Sequence, residues 1–434
     1  MGFRDYLKKI EEQGILKKVS KEVSKNLEIS GVLKALEPTP VLFEKVKESD
    51  FRVIGNLFCT KDSIANYFGV QPPDLIPMLS KSIDDRSDPE IVSSAPSQEV
   101  IMDSVNLSKL PILRHNEKEG GLAYISSAVV ITRDPEFGQN MDFHRAMQIS
   151  DKRMVTRIVG GRHFAKFLEK NDELEVAFCV GNSPNVLVAA ATSVDIGIDE
   201  LTIANALEPM QITKAKTVDL TVPAESEFII EGKVYMKERE KEGPFIDLTE
   251  TYDVVREEPV FEVKKITHRK DAIWQGLLPG ALEHKILMGM PREPTIFKKV
   301  NEAGVKCLDV NINPGGCSWL HAIVKIDKKN DGDGKTAIKA GFAGHGSCKH
   351  IFVVDKDIDI YDPLNVEWAM ATRFQGDVDM IVKDKEPGSS LDPSAEPKTK
   401  LTTKIGFDLT APLQSKGKSY GRAEFPKVNL NDYF

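Results

Sequence analysis

Glu242-Gly243-Pro244-Phe245-Ile246-Asp247 closes a long series of strand-like segments and sets two carboxylates on either side of a Gly-Pro pair. Proline fixes φ at about −65° and glycine accepts dihedrals that other residues avoid, so the pair predicts a rigid reversal. A rigid reversal can hold two acids at a set separation. Paired carboxylates in unlike surroundings can divide the work, one giving up a proton while the other stays charged. Composition alone is also compatible with a surface turn carrying two solvated acids.

Outward from this turn, residues 122–269 are rich in short β-type runs, including Tyr124 to Thr132, Arg153 to Val159, Glu175 to Val180, Glu227 to Glu231 and Pro259 to Thr267. Closely spaced strands with turn signals predict a barrel or sandwich. Helices are expected within it over Arg162 to Lys170 and Asp199 to Leu207. The preceding third reads as α/β, with an amphipathic helix over residues 3–17, strands at 40–46 and 51–58, and a helix starting near Lys61 capped by Asp62 or Ser63. After Pro279 the pattern returns to α/β, with helices at Ala281 to Met288 and Pro291 to Asn301 and a helix opened by Asp362-Pro363. Residues 384–400, with three prolines and no apolar period, read as a long exposed loop.

The 434 residues exceed one ordinary core and predict two or three domains. With 41% hydrophobic and 29% charged residues and a formal net charge of −8, the chain has the make-up of a globular protein without the basic face of a nucleic-acid binder. No run is apolar enough to span a membrane, and charges interrupt the first residues, which excludes a secretory signal at that end. The five cysteines, Cys59, Cys179, Cys307, Cys317 and Cys348, are odd in number and widely spaced, the pattern of reduced thiols in a cytoplasmic protein. Asp333-Gly334-Lys335-Thr336 imitates a phosphate loop, but Lys329 stands where that motif needs glycine.

Taken singly, His163 at a helix start, Glu200 at another, and Asn140 and Arg145 carry no chemistry. Their order along the chain does. Asn140-Met-Asp-Phe-His-Arg145, His163, Glu200, Ile229-Ile-Glu-Gly232, Glu242-Gly-Pro-Phe-Ile-Asp247, Lys349-His-Ile-Phe-Val-Val-Asp355, Trp368-Ala-Met-Ala-Thr-Arg373 and Thr403-Lys-Ile-Gly-Phe-Asp408 together resemble the UbiD-type decarboxylases. That resemblance implies a multi-domain α/β protein: an N-terminal α/β domain (1–112), a central split β-barrel of the flavin-reductase type (113–278) and a C-terminal α/β domain (279–434). It implies prenylated FMN supplied by a flavin prenyltransferase, a divalent metal, Mn²⁺, held by Asn140, His163 and Glu200 against the cofactor phosphate, and a K⁺ ion nearby. Lys349 is expected at the cofactor phosphate. Arg145, which also belongs to the cofactor-binding set, is expected to form a catalytic network with Glu242 and Asp247, Asp247 being the proton donor. A homo-oligomer is implied as well.

The chain departs from the family pattern at Asp142, where a glycine is usual, and at His144, where Tyr or Thr is usual. Together with Leu278-Pro-Gly-Ala-Leu-Glu-His284 and the residues up to Pro294, this looks like the short archaeal members that decarboxylate trans-anhydromevalonate 5-phosphate to isopentenyl phosphate. An aromatic acid such as a hydroxybenzoate is the alternative substrate, and an FMN split-barrel oxidoreductase the alternative activity. A phosphorylated substrate needs additional cationic groups, for which Arg162, Lys349 and His144 are the candidates.

Overall fold

Two long antiparallel strands, Phe228–Glu242 and Arg256–His268, form the spine of the structure. The first begins with Phe228-Ile-Ile, buried on both faces, runs out through exposed charged residues, and ends on a fully buried Glu242. The coordinates are a computed structural model that describes residues 1–434 other than Ser415, Lys416, Lys418, Glu424 and Phe434.

These strands are the centre of a nine-stranded sheet, antiparallel throughout. On one side follow Arg153–Thr156, Ala146–Gln148 and Tyr124–Ile125; on the other, Glu173–Val180, Val129–Asp134 and Gly138–Phe143. The chain therefore passes from one end strand of the sheet (Gly138–Phe143) to nearly the opposite end (Ala146–Gln148) through His144 and Arg145 alone. Three residue steps span at most about 11 Å. The sheet must curl until its ends approach, and Arg145 lies in the seam. Among the described residues no strand pair closes that seam.

Four smaller sheets surround this one. The N-terminal sheet (Lys17–Val19, Val41–Phe43, Arg52–Gly55) is completed by Ile273–Gln275, which returns from beyond the central sheet. One core runs through both units, joining Phe3, Tyr6 and Phe58 to Ile131, Leu187 and Leu287. The C-terminal sheet has five strands, with Glu293–Glu302 and Asp333–Gly344 packed together beside it. The motifs at Asp355 and Arg373 meet there, Arg373 Nη1 donating to Asp355 Oδ2 at 2.7 Å. No helix of the described residues is long and apolar enough to cross a membrane.

Expected helices form at His163–Lys170, Glu200–Leu207, Leu282–Gly289 and Pro363–Arg373, the second and last capped by Asp199 and Asp362. The helix at Lys61–Phe68 is capped instead by Thr60, whose hydroxyl accepts from the Ser63 N–H at 3.1 Å. Residues 384–400 are not a long exposed loop. Residues up to Pro387 complete the strand Met380–Pro387, and Ser389 and Asp392 are buried as the following turn folds back onto the protein. Trp319 Nε1 donates to Ser389 Oγ at 3.1 Å, a distant partner that local composition does not reveal.

Gly232 marks a bulge between the two spine strands, and a Cβ there would stand 2.0 Å from the Glu262 carbonyl oxygen. The backbone of the central ladder has nowhere to move. Gly232→Ala is expected to cost on the order of 3 kcal/mol, lowering the midpoint of thermal unfolding by several degrees in a calorimetric scan.

Candidate active site

Arg145 reaches from the seam of the curled sheet to the turn that ends the first spine strand. Its Nε and Nη2 donate to the two oxygens of Glu242 at 2.9 and 3.0 Å, a bidentate pair, and its Nη1 donates to Asp247 Oδ2 at 3.0 Å. Nη2 also donates to Asp253 Oδ2 at 3.1 Å. The guanidinium carbon lies 4.8 Å from the centre of the Phe245 ring. Burial works against the charge on Arg145, but the three carboxylates outweigh it and hold the group protonated, its pKa raised.

The turn is positioned from both sides. Gly243 takes φ +98°, where glycine is favoured, and its N–H donates to the Tyr124 hydroxyl at 3.0 Å. Phe245–Ile246 then pairs with Tyr252–Asp253, which brings Asp253 to the guanidinium. Asp253 is also bonded to Arg256. Three carboxylates thus share two guanidiniums. Of the three, only Asp247 lines the adjoining cavity.

That cavity has a volume of about 520 Å³. Its walls include Asn140, His163 and Glu200, together with Leu277, Leu287 and Met288. His163 Nδ1 lies 3.0 Å from Asn140 Oδ1, and Glu200 Oε2 accepts from the Met141 N–H at 2.8 Å. Asn140 Nδ2 is buried with no hydrogen-bond partner among the described residues. Burial pushes the Glu200 carboxyl well above its usual range and keeps His163 below its own. His144 Nε2 lies 2.9 Å from Asp142 Oδ1, too poorly aligned for a hydrogen bond, while its Nδ1 is 2.8 Å from the Arg157 carbonyl. Among the described residues no group of three or more His, Cys, Asp or Glu side chains is disposed to hold a metal. The set Asn140, His163 and Glu200 contains only two of those types.

Lys349 is not brought to this cavity. Its Nζ pairs with Asp392 at 2.9 Å and bonds Ser394, both in the folded-back 388–400 turn. Two polar cavity residues on one helix and its following turn have no counterpart among the sequence-based candidates. His284 accepts the Gly280 N–H on Nδ1 at 3.0 Å, and burial lowers its pKa to about 4, which leaves a neutral ring with its proton on Nε2. Arg292, in the turn after the same helix, is the other. Both fall within the stretch 278–294, whose likeness to the archaeal members was the only signal available.

Profiles of the 3-octaprenyl-4-hydroxybenzoate carboxy-lyase N-terminal, Rift-related and C-terminal domains match residues 7–83, 90–282 and 285–409. The chain belongs to the UbiD family. It is 40% identical over 423 residues to the anhydromevalonate phosphate decarboxylase of Methanothermobacter thermautotrophicus, covering 96% of this chain and 98% of that one. The UbiD-class enzyme HmfF from Pelotomaculum thermopropionicum, solved in complex with FMN, superposes with a TM-score of 0.95 at 35% identity over 100% of both chains. An evolved dimeric form of that enzyme in complex with prFMN superposes at 0.92 with 33% identity, again over 100% of both.

Asp253 is held below the ordinary carboxylate range because Arg256 and Arg145 outweigh its burial. A depressed carboxylate pKa stabilises the fold above the unfolded-state pKa and is lost as pH falls through the folded one. Arg145→Met is expected to strand the buried acids and cost on the order of 3 kcal/mol or more. The loss in thermal stability relative to the parent should be largest near neutral pH and shrink in acid, where the carboxylates are protonated in any case.

Proposed function

We propose that this protein is a prenylated-FMN-dependent decarboxylase of an α,β-unsaturated acid, acting on trans-anhydromevalonate 5-phosphate to give isopentenyl phosphate. The observation that carries the reading is Arg145, bonded to Glu242 and Asp247 at the wall of a cavity large enough for a substrate, in a chain matched along nearly its whole length by an archaeal decarboxylase of that phosphate. A cytoplasmic homo-oligomer built from units 1–112, 113–278 and 279–434 is part of the same reading. So is the curled nine-stranded sheet as a split barrel carrying the flavin, its open seam at His144-Arg145.

The residues present suit the groups that the family implies. A neutral imidazole, an amide and a carboxylate with no cationic partner make a donor set for a hard divalent cation such as Mn²⁺ beside a phosphate. Asn140, His163 and Glu200 would hold it. The Glu200 carboxyl, raised by burial and without an ion pair among the described residues, is relieved by such an ion. K⁺ ligands are not assigned. Loss of CO₂ leaves an electron pair on carbon that no ordinary side chain can accept, and prenylated FMN supplies that sink when bound.

The protein's own residues do the rest. Arg145 has five N–H donors and spends four on acids, leaving one for the substrate carboxylate. Glu242 fixes the guanidinium plane through its bidentate pair. Asp247, the one acid of the cluster on the cavity wall, delivers a proton to the carbon that loses CO₂. Phe245, Leu248, Leu277 and Leu287 exclude water from that carbon.

With protein produced alongside a flavin prenyltransferase, CO₂ release is expected from trans-anhydromevalonate 5-phosphate and not from 4-hydroxybenzoate. Asp247→Asn should lower turnover by about 10²- to 10⁴-fold while bound flavin, read by absorbance, is retained. Turnover of the aromatic acid instead, or NAD(P)H oxidation without CO₂, would replace this reading with one of its alternatives.

A further inference from the structure

Two of the arginines that line the cavity stand in opposite surroundings. Arg145 is met by three carboxylates. Arg292 also lines the cavity, yet among the described residues it has no ion pair, and its buried Nε has no hydrogen-bond partner. Its guanidinium carbon lies 5.4 Å from the centre of the Trp319 ring, an apolar neighbour that positions the group without neutralising it. His345, packed edge-on to the same indole, is held neutral by burial and by Arg292 itself, its pKa pushed down to about 3.

The charge that acts on Arg292 is of the same sign. Arg162, on the cavity wall, has no ion pair or side-chain hydrogen bond among the described residues, and after burial it is the second influence lowering Arg292, to about 10. A partly buried cation facing a like charge is unfavourable, and folded proteins rarely leave one uncompensated. The site is complete only with an anion from outside.

The helix Leu282–Gly289 and its following turn connect this site to the reactive one. His284 lies close enough to Asp247 and Arg145 to feel both charges, and Arg292 comes eight residues later. A substrate with its carboxylate at Arg145 and a second anionic group at its other end would lie within this one cavity, which both arginines line.

We propose that Arg292, assisted by Arg162, binds a phosphate monoester at the unreactive end of the substrate and so selects phosphorylated acids over monocarboxylic aromatic ones. Two guanidiniums match a group carrying about −1.5 to −2 charges near neutral pH, and the planar fork suits paired phosphate oxygens. The inference rests on the decarboxylase reading for the identity of the substrate. Arg162 adjoins His163 and could also serve the cofactor's phosphate, which makes Arg292 the position that separates the two sources.

The test uses holoprotein and the variants Arg292→Gln and Arg292→Lys, checked for parental thermal melts. Inorganic phosphate binding is measured by calorimetry, flavin content by absorbance, and steady-state kinetics with trans-anhydromevalonate 5-phosphate and with the same acid lacking phosphate. Arg292→Gln is expected to weaken phosphate binding and raise KM for the phosphorylated acid at least about tenfold. Kinetics on the unphosphorylated acid and the flavin content should stay at the parental level, with Arg292→Lys intermediate. Equal losses on both acids, unchanged phosphate binding, or flavin lost with Arg292 would overturn the proposal. Should the parent protein turn over neither acid, the decarboxylase reading fails, while the calorimetric comparison still decides whether Arg292 is an anion site.

Discussion

A single guanidinium in a partly closed seam governs the arrangement of this protein. Arg145 can be buried only because Glu242, Asp247 and Asp253 surround it, and Glu242 can be wholly buried only because Arg145 covers both its oxygens. Neither ion would be tolerated there alone. The requirement extends outward: the seam must bring residue 145 to the far end of the Phe228–Glu242 strand, and the Gly243 turn must hold its acids in place through Tyr124. The curl of the nine-stranded sheet meets both conditions.

The cavity beside that cluster is electrically divided. Near Arg145 the acids outnumber the cations, and at Arg292 and Arg162 the cations have no ion pair among the described residues. A third group, Asn140, His163 and Glu200, combines an amide oxygen, an imidazole whose pKa burial lowers and a carboxyl whose pKa burial raises. Each region offers something different. The first sets an acid, Asp247, on the cavity wall, the second has capacity for an anion, and the third for a cation.

What could be read from the chain was whatever is local. The Gly-Pro reversal, the helix starts at Asp199 and Asp362 and the strand-rich centre are written in adjacent residues. The ordered motifs supplied Asn140, Arg145, His163, Glu200, Glu242 and Asp247, all of which the fold gathers about one cavity or its adjoining ion cluster. Helix Pro184–Ala191 escaped notice because it is buried on every side and so shows no amphipathic period. Helix Asp333–Gly344 was hidden by its glycines, which serve packing: a Cβ on Gly344 would stand 2.6 Å from the Ile296 backbone. Asp253 has no local signature, since its role comes from pairing across a hairpin. Arg292 is distinguished only by having no ion pair among the described residues, which is a property of three dimensions. The partners of Lys349 were hidden for the converse reason, because Asp392 and Ser394 reach it from a segment whose prolines and serines resemble an open loop.

The most direct test is a crystal structure of the holoenzyme with a saturated, unreactive analogue of the phosphorylated acid. The account predicts the carboxylate against the free N–H of Arg145, within reach of Asp247 and facing the flavin ring, with the phosphate at Arg292. A flavin bound outside this cavity, or an analogue lying with its carboxylate away from Arg145, would contradict it.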